Sequence, residues 1–104
     1  MGVSSMSAKR PTEAQQALTR DLVVTNKLGI HARPASMFVR TANRFQSDIF
    51  VEKDGEKVNG KSIMGLLMLA AGQGSRLRVH AEGQDAPQAI YELGDLLKRN
   101  FDED

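Results

Sequence analysis

Two stretches of the chain combine glycine with residues able to do chemistry: Gly29-Ile30-His31-Ala32-Arg33-Pro34, and Gly55 followed after four residues by Gly60-Lys61-Ser62. The second spells Gly-x-x-x-x-Gly-Lys-Ser, the pattern of a nucleotide-phosphate loop. Its physics requires one glycine-rich turn between a buried strand and a helix, with backbone amides and the lysine wrapped around phosphates. The first stretch sets an imidazole and a guanidinium at the entrance of an apparent helix. There the leading backbone N–H groups have no intrahelical partner, and the dipole stabilises negative charge by up to ~2 kcal/mol. Arg33 adds a fork of donors shaped for phosphate oxygens. Both features favour a neutral, nucleophilic imidazole, so His31 is a candidate acceptor of a phosphoryl group. A loop histidine that merely precedes a helix fits the spacing equally well. His80 stands on the solvent side of a strand with no carboxylate or second histidine at ligand spacing, and reads as structural. Neither a metal nor a cofactor is expected.

The flanking residues decide between these chemistries. Residues 21–26, Asp-Leu-Val-Val-Thr-Asn, form a β-branched run that Gly29 breaks. From Ala32 the apolar residues Ala35, Phe38, Val39, Ala42 and Phe45 recur at helical spacing. Arg33, Arg40 and Arg44 fall with Met37 on the other face, and Pro34 is tolerated in the first turn. Residues 48–53 read as a strand, Asp54-Gly55 as a two-residue hairpin turn, and 56–59 as the returning strand. Ser62 can cap a second helix over 63–71 that stops at Gly72, a bond worth roughly 1 kcal/mol. Residues 76–82 alternate, with Leu77, Val79 and Ala81 inward. Asp85 and Gln88 have capping-box spacing before a last helix with Ala86, Ala89, Ile90, Leu93, Leu96 and Leu97 on its buried face. Gly55 therefore belongs to a hairpin and Gly60-Lys61-Ser62 to a helix entrance. With a strand between them the phosphate loop cannot close.

A chain of 104 residues is expected to form one domain, 21–104, preceded by a mobile N-terminal tail over 1–20. No apolar run approaches the length of a membrane span, and the absence of cysteine leaves no disulfide or thiolate metal site. Without Lys9, Arg10, Arg20 and Glu13, the domain carries 11 basic and 12 acidic residues. Such a balance, with aromatic residues at 5%, gives no footprint for nucleic acid. The second helix is apolar nearly all round, so Ile63, Met64 and Leu67 are expected to remain exposed near His31. Together with Met37, Arg40 and Arg44 they form a candidate docking surface for acidic partners, although a solvated helix face accounts for the arginines as well.

Gly29-Ile30-His31-Ala32-Arg33-Pro34-Ala35 followed by Lys61-Ser62-Ile63-Met64-Gly65 resembles the HPr family, the histidine-containing phosphocarriers of the bacterial phosphoenolpyruvate-dependent sugar phosphotransferase system. The likeness runs from about Asp21 to Phe101. It implies an α+β open-faced β-sandwich, a four-stranded antiparallel sheet with three helices on one side in the order βαββαβα. It also implies that His31 is phosphorylated on Nδ1 by enzyme I and passes the group to sugar-specific IIA domains, with Arg33 assisting. Ser62 corresponds to a regulatory site of HPr kinase/phosphorylase, and a transcriptional regulator is a further implied partner. Such a protein is a cytoplasmic phosphoryl-transfer intermediate and not a stand-alone enzyme. A regulatory module of a nitrogen-type branch or of catabolite control is the alternative, although the retained histidine argues against a purely serine-regulated paralogue. Leu28 departs from the many members with a small polar residue before the glycine, whose side chain can help order the loop.

Overall fold

Asp54 and Gly55 both adopt positive φ, 52° and 85°, which matches the twist of a two-residue hairpin to that of its strands. They join β2 (Asp48–Lys53) to β3 (Glu56–Asn59) with Val51 opposite Val58. β1 (Gln16–Val23) and β4 (Arg76–Gly83) complete an antiparallel sheet in the order β1-β4-β2-β3. The helices are α1 (Ala32–Ala42), α2 (Ile63–Met68) and α3 (Ala86–Lys98), followed by a short 3-10 turn at Asn100–Asp102. This computed structural model describes residues 16–102. The order is the expected βαββαβα.

Strand alternation builds the core. Leu22 pairs with Leu77, while Val79 lies between Arg20 on one side and Val51 on the other. These inward residues meet Ala35, Phe38, Val39 and Ala42 of α1, Leu66 of α2, and Leu93, Leu96 and Leu97 of α3 in one buried cluster. Burying a large apolar side chain there contributes about 2 kcal/mol. Phe101, fully buried, is carried inward by three consecutive residues with positive φ, Asn100 to Asp102.

Four expectations need correction. β1 begins at Gln16, so 16–20 are strand and not tail; Leu18 and Arg20 face inward, and Arg20 lies against Gly94 of α3. The rest of that proposed tail, 1–15, lies outside the described residues. α2 ends at Met68 and not at Ala71, because Ala70 turns left-handed at φ 50° and this lets Leu69 and Ala71 both reach the core. α1 ends at Ala42, so Phe45 and Arg44 are not on it, although Phe45 still packs against the core.

Asp85 makes no side-chain capping bond. Its carboxylate instead accepts the amides of Gln46 and Ser47, at 2.8 and 3.0 Å, and the hydroxyl of buried Ser47. An ionised carboxylate serving three donors outweighs one cap bond in water, and it anchors the segment that leads into β2. The Ser47 hydroxyl, then the two amides, hold the Asp85 carboxyl below the usual aspartate range.

Candidate functional site

The loop from β1 to α1 is fastened to the segment after α2. Val24 N–H donates to the Ser75 carbonyl at 2.9 Å, Gly74 N–H to the Val24 carbonyl at 2.7 Å, and Ile30 N–H to the Ala71 carbonyl at 2.8 Å. Gln73 adds a side-chain bond to the Thr25 carbonyl at 3.1 Å. Gly29 sits where the two segments touch. A Cβ there would lie 2.4 Å from the Ala71 oxygen, and its φ of 69° is strained for any other residue. Beneath the loop, Asn26 is 1% exposed and donates from Nδ2 to the Gly29 carbonyl at 2.8 Å, while its own carbonyl accepts the Gly29 N–H at 3.2 Å.

His31 is the residue this clamp delivers. It takes the N-cap position of α1 with extended backbone, φ −96° and ψ −167°, and its carbonyl accepts the Ala35 N–H at 3.0 Å. Its side chain makes no capping bond. The ring is half-buried and Nε2 is screened from solvent. The first turn carries no acidic residue, and Pro34 brings no N–H to it. Arg33, in the same turn, is exposed. Amide donors, a positive helix end and a guanidinium thus share one turn with the imidazole, an arrangement suited to an oxyanion.

Ser62 occupies the corresponding position on α2, and there the side chain is engaged. Its Oγ accepts the Gly65 N–H at 3.0 Å, and its carbonyl accepts the Leu66 N–H at 3.1 Å. Gly60 N–H meets the Ile49 carbonyl at 2.8 Å, and Lys61 Nζ donates to the Phe45 carbonyl, also at 2.8 Å. The glycine and the lysine of the apparent phosphate loop are therefore used by the fold.

α1 and α2 pack against each other, and apolar side chains are exposed along α2. Ile63, Met64 and Leu67 are among them as expected; Met68 joins them at 67% exposure and Leu28 of the loop at 75%. Arg40 is exposed and Met37 half-buried. Arg44 departs from the expected stripe: beyond the helix end it pairs with Glu92 of α3 and lies 5.6 Å over the Phe45 ring. His80 also has a partner that spacing did not show, the Glu52 carboxylate at 2.8 Å. Phe50 stands opposite His80 across β2 and β4, which puts Glu52 on the same sheet face.

Asn26 is the residue at this site that sequence reasoning missed. Its signal was an asparagine three residues before a glycine, a spacing that lets the side chain close a turn. Among the described residues, no group of three or more His, Asp or Glu is placed to hold a metal ion, and no helix is long and apolar enough to cross a membrane.

Comparison with known proteins adds to this geometry. Residues 18–99 match the family described as PTS HPr component phosphorylation site. Phosphocarrier protein HPr of Xylella fastidiosa (strain 9a5c) is 45% identical over 87 residues, covering 84% of this chain and 98% of that protein. The HPr-like protein Crh of Bacillus subtilis is 54% identical over 67 residues, covering 64% of this chain and 79% of its own. Among solved structures, HPr-C-His from Thermoanaerobacter tengcongensis aligns with a TM-score of 0.81 at 47% identity, over 84% of this chain and 98% of that one. The chain belongs to the HPr family, the phosphocarrier proteins of the phosphotransferase system.

Proposed function

We propose that His31 is the phosphoryl acceptor and donor, charged by phospho-enzyme I and discharged to sugar-specific IIA components in the cytoplasm. The observation that carries this reading is the imidazole at the N-cap of α1, with Nε2 screened and the side chain unused for capping. In the transfer, the Nδ1 lone pair forms the new N–P bond while the bond from phosphorus to the donor atom of enzyme I breaks. The dianion then lies beside the first-turn amides and within reach of Arg33, groups already oriented by the fold. Passage to a IIA component reverses the step, and the protein is regenerated unchanged. The chain acts as a recycled protein substrate and needs no metal or cofactor for this chemistry.

Met37, Arg40, Ile63, Met64 and Leu67, with Met68, form the docking surface in this reading. The exposed methionines suit successive partners of different shape. Arg44, held by Glu92, contributes at most to its rim. Ser62 is a regulatory phosphorylation site for HPr kinase/phosphorylase. A phosphate there adds about −1.5 to −2 charges at the start of α2, beside that surface.

One observation favours a second reading, in which catabolite regulation is the main output: the solved structure of Crh, described as the Bacillus subtilis catabolite repression HPr, is 46% identical over 77% of this chain. The HPr-like Crh proteins of Bacillus subtilis and Halalkalibacterium halodurans are 54% and 53% identical to this chain, above the 45% of the Xylella HPr, over shorter alignments. A pull-down with His31→Ala and Ser62→Asp separates the two. Carriage predicts that His31→Ala alters the partner set, and regulation alone predicts that only Ser62→Asp does.

The test of carriage is incubation with phosphoenolpyruvate and an active cognate enzyme I, followed by mass spectrometry under alkaline conditions. One phosphoryl group on the wild-type chain and none on His31→Ala is expected. An unmodified wild-type chain rejects the proposal.

A further inference from the structure

We propose that Asn26 is a positioning residue for phosphoryl transfer, holding His31 in register through the carbonyl of Gly29. This rests on His31 being the acceptor. The chain of contacts is short. Asn26 Nδ2 donates to the Gly29 oxygen at 2.8 Å, and the His31 backbone N–H donates to that same oxygen at 3.1 Å. One carbonyl therefore receives both a buried side chain and the backbone of the acceptor histidine. The Gly29 N–H returns a bond to the Asn26 carbonyl at 3.2 Å, so residues 26–29 close on themselves through both main chain and side chain. Asn26 is 1% exposed, so its bond to Gly29 is shielded from competing water.

The loop has need of such a brace. Leu28, 75% exposed, offers no hydrogen bond from its side chain, and Lys27 is exposed as well. The other anchors, Ile30 to Ala71 at one end and Val24 and Thr25 to residues 73–75 at the other, hold the ends of the loop. The turn over 26–29 sets the direction in which the backbone enters His31. Asn26 does not touch the reacting atoms. A small rotation of the Gly29 peptide moves the N-cap and with it the imidazole relative to the first-turn amides, and misplacements of that size are costly in transfer reactions.

With this chain as the protein substrate of enzyme I, KM reports docking and kcat reports the placement of Nδ1. Asn26→Ala and Asn26→Leu, the latter of similar volume but without a donor, are each expected to lower kcat by roughly tenfold with KM within about twofold of wild type. Val79→Ala, in the centre of the sheet, destabilises the fold away from the loop and is expected to leave kcat unchanged at a temperature where all variants are folded. Wild-type kcat in Asn26→Leu, a rise confined to KM, or an equal fall in Val79→Ala overturns the proposal.

A measurement on the wild-type chain guards against variants that fail to fold. By NMR, the side-chain amide protons of Asn26 are expected to exchange with solvent far more slowly than those of exposed Asn43, and equal rates would also overturn it. If the wild-type chain takes up no phosphoryl group, the carrier reading fails instead. The brace is then judged on amide exchange and on whether Asn26→Leu shifts the His31 backbone and ring resonances while Val79→Ala does not; unmoved resonances overturn it.

Discussion

The starts of α1 and α2 solve the same problem in opposite ways. Each helix presents N–H groups without intrahelical partners. At α2 the Ser62 side chain turns in and accepts the Gly65 amide. At α1 the residue in the same position is His31, whose side chain makes no such bond. The fold uses one side chain to finish a helix and spends other contacts, those of Asn26, Gly29 and Ala71, to present the other at a helix end suited to anions. The difference teaches that a cap position can serve stability or chemistry, and that the second choice shifts the cost of order onto the preceding loop. The start of α3 is a third case, in which Asp85 looks away from its own helix toward Gln46 and Ser47.

The largest expected effect breaks the comparison at α1. His31→Ala removes phosphoryl acceptance entirely while leaving the chain folded, because its side chain makes no capping bond to α1. A thermal melt beside the phosphorylation assay checks both halves. Next, Gly29→Ala is expected to cost about 2 kcal/mol or more, from the φ of 69° and from a Cβ 2.4 Å from the Ala71 oxygen. Urea titration reads the loss, and slowed transfer by the folded fraction shows that the loop, and not α1 alone, presents the histidine.

At α2, Ser62→Ala is expected to cost about 1 kcal/mol with phosphorylation of His31 retained. A melting temperature equal to that of wild type would mean that the cap bond contributes nothing. An effect of similar size at pH 7 belongs to α3, and it vanishes in acid. The Asp85 carboxyl is held below its ordinary value of 3.8, first by the Ser47 hydroxyl. Its contribution is therefore complete above the unfolded aspartate value and is lost as pH falls through the lower folded one. Asp85→Asn should be less stable than wild type by about 1 kcal/mol near pH 7, and the gap should close as the medium is acidified below pH 3.8. A gap that is constant with pH would assign the loss to packing.

Much of this architecture was legible in the residues. Period changes marked the helices and strands, Asp54-Gly55 marked the hairpin, and Ser62 its cap, because each is a local preference that the tertiary structure did not oppose. What escaped were long-range obligations. Asp85 had the spacing of a capping box, but a distant buried serine outbid it. The strand before Asp21 was hidden because Ala17, Thr19 and Arg20 lack an apolar pattern and are placed by pairing with β4. α2 looked longer since Leu69 and Ala71 are apolar, and only the left-handed turn at Ala70 reveals that they are core residues outside a helix. At the site, His31 and Arg33 stood out by type and spacing. Asn26 did not, since its value lies in a bond to Gly29 that exists only once the loop is folded.

The most direct test is NMR on the 15N-histidine-labelled chain after charging by phosphoenolpyruvate and enzyme I. The account predicts a phosphorus bonded to Nδ1 of His31, with the His80 ring unmodified. A phosphorus on Nε2, on His80, or on neither ring would contradict it.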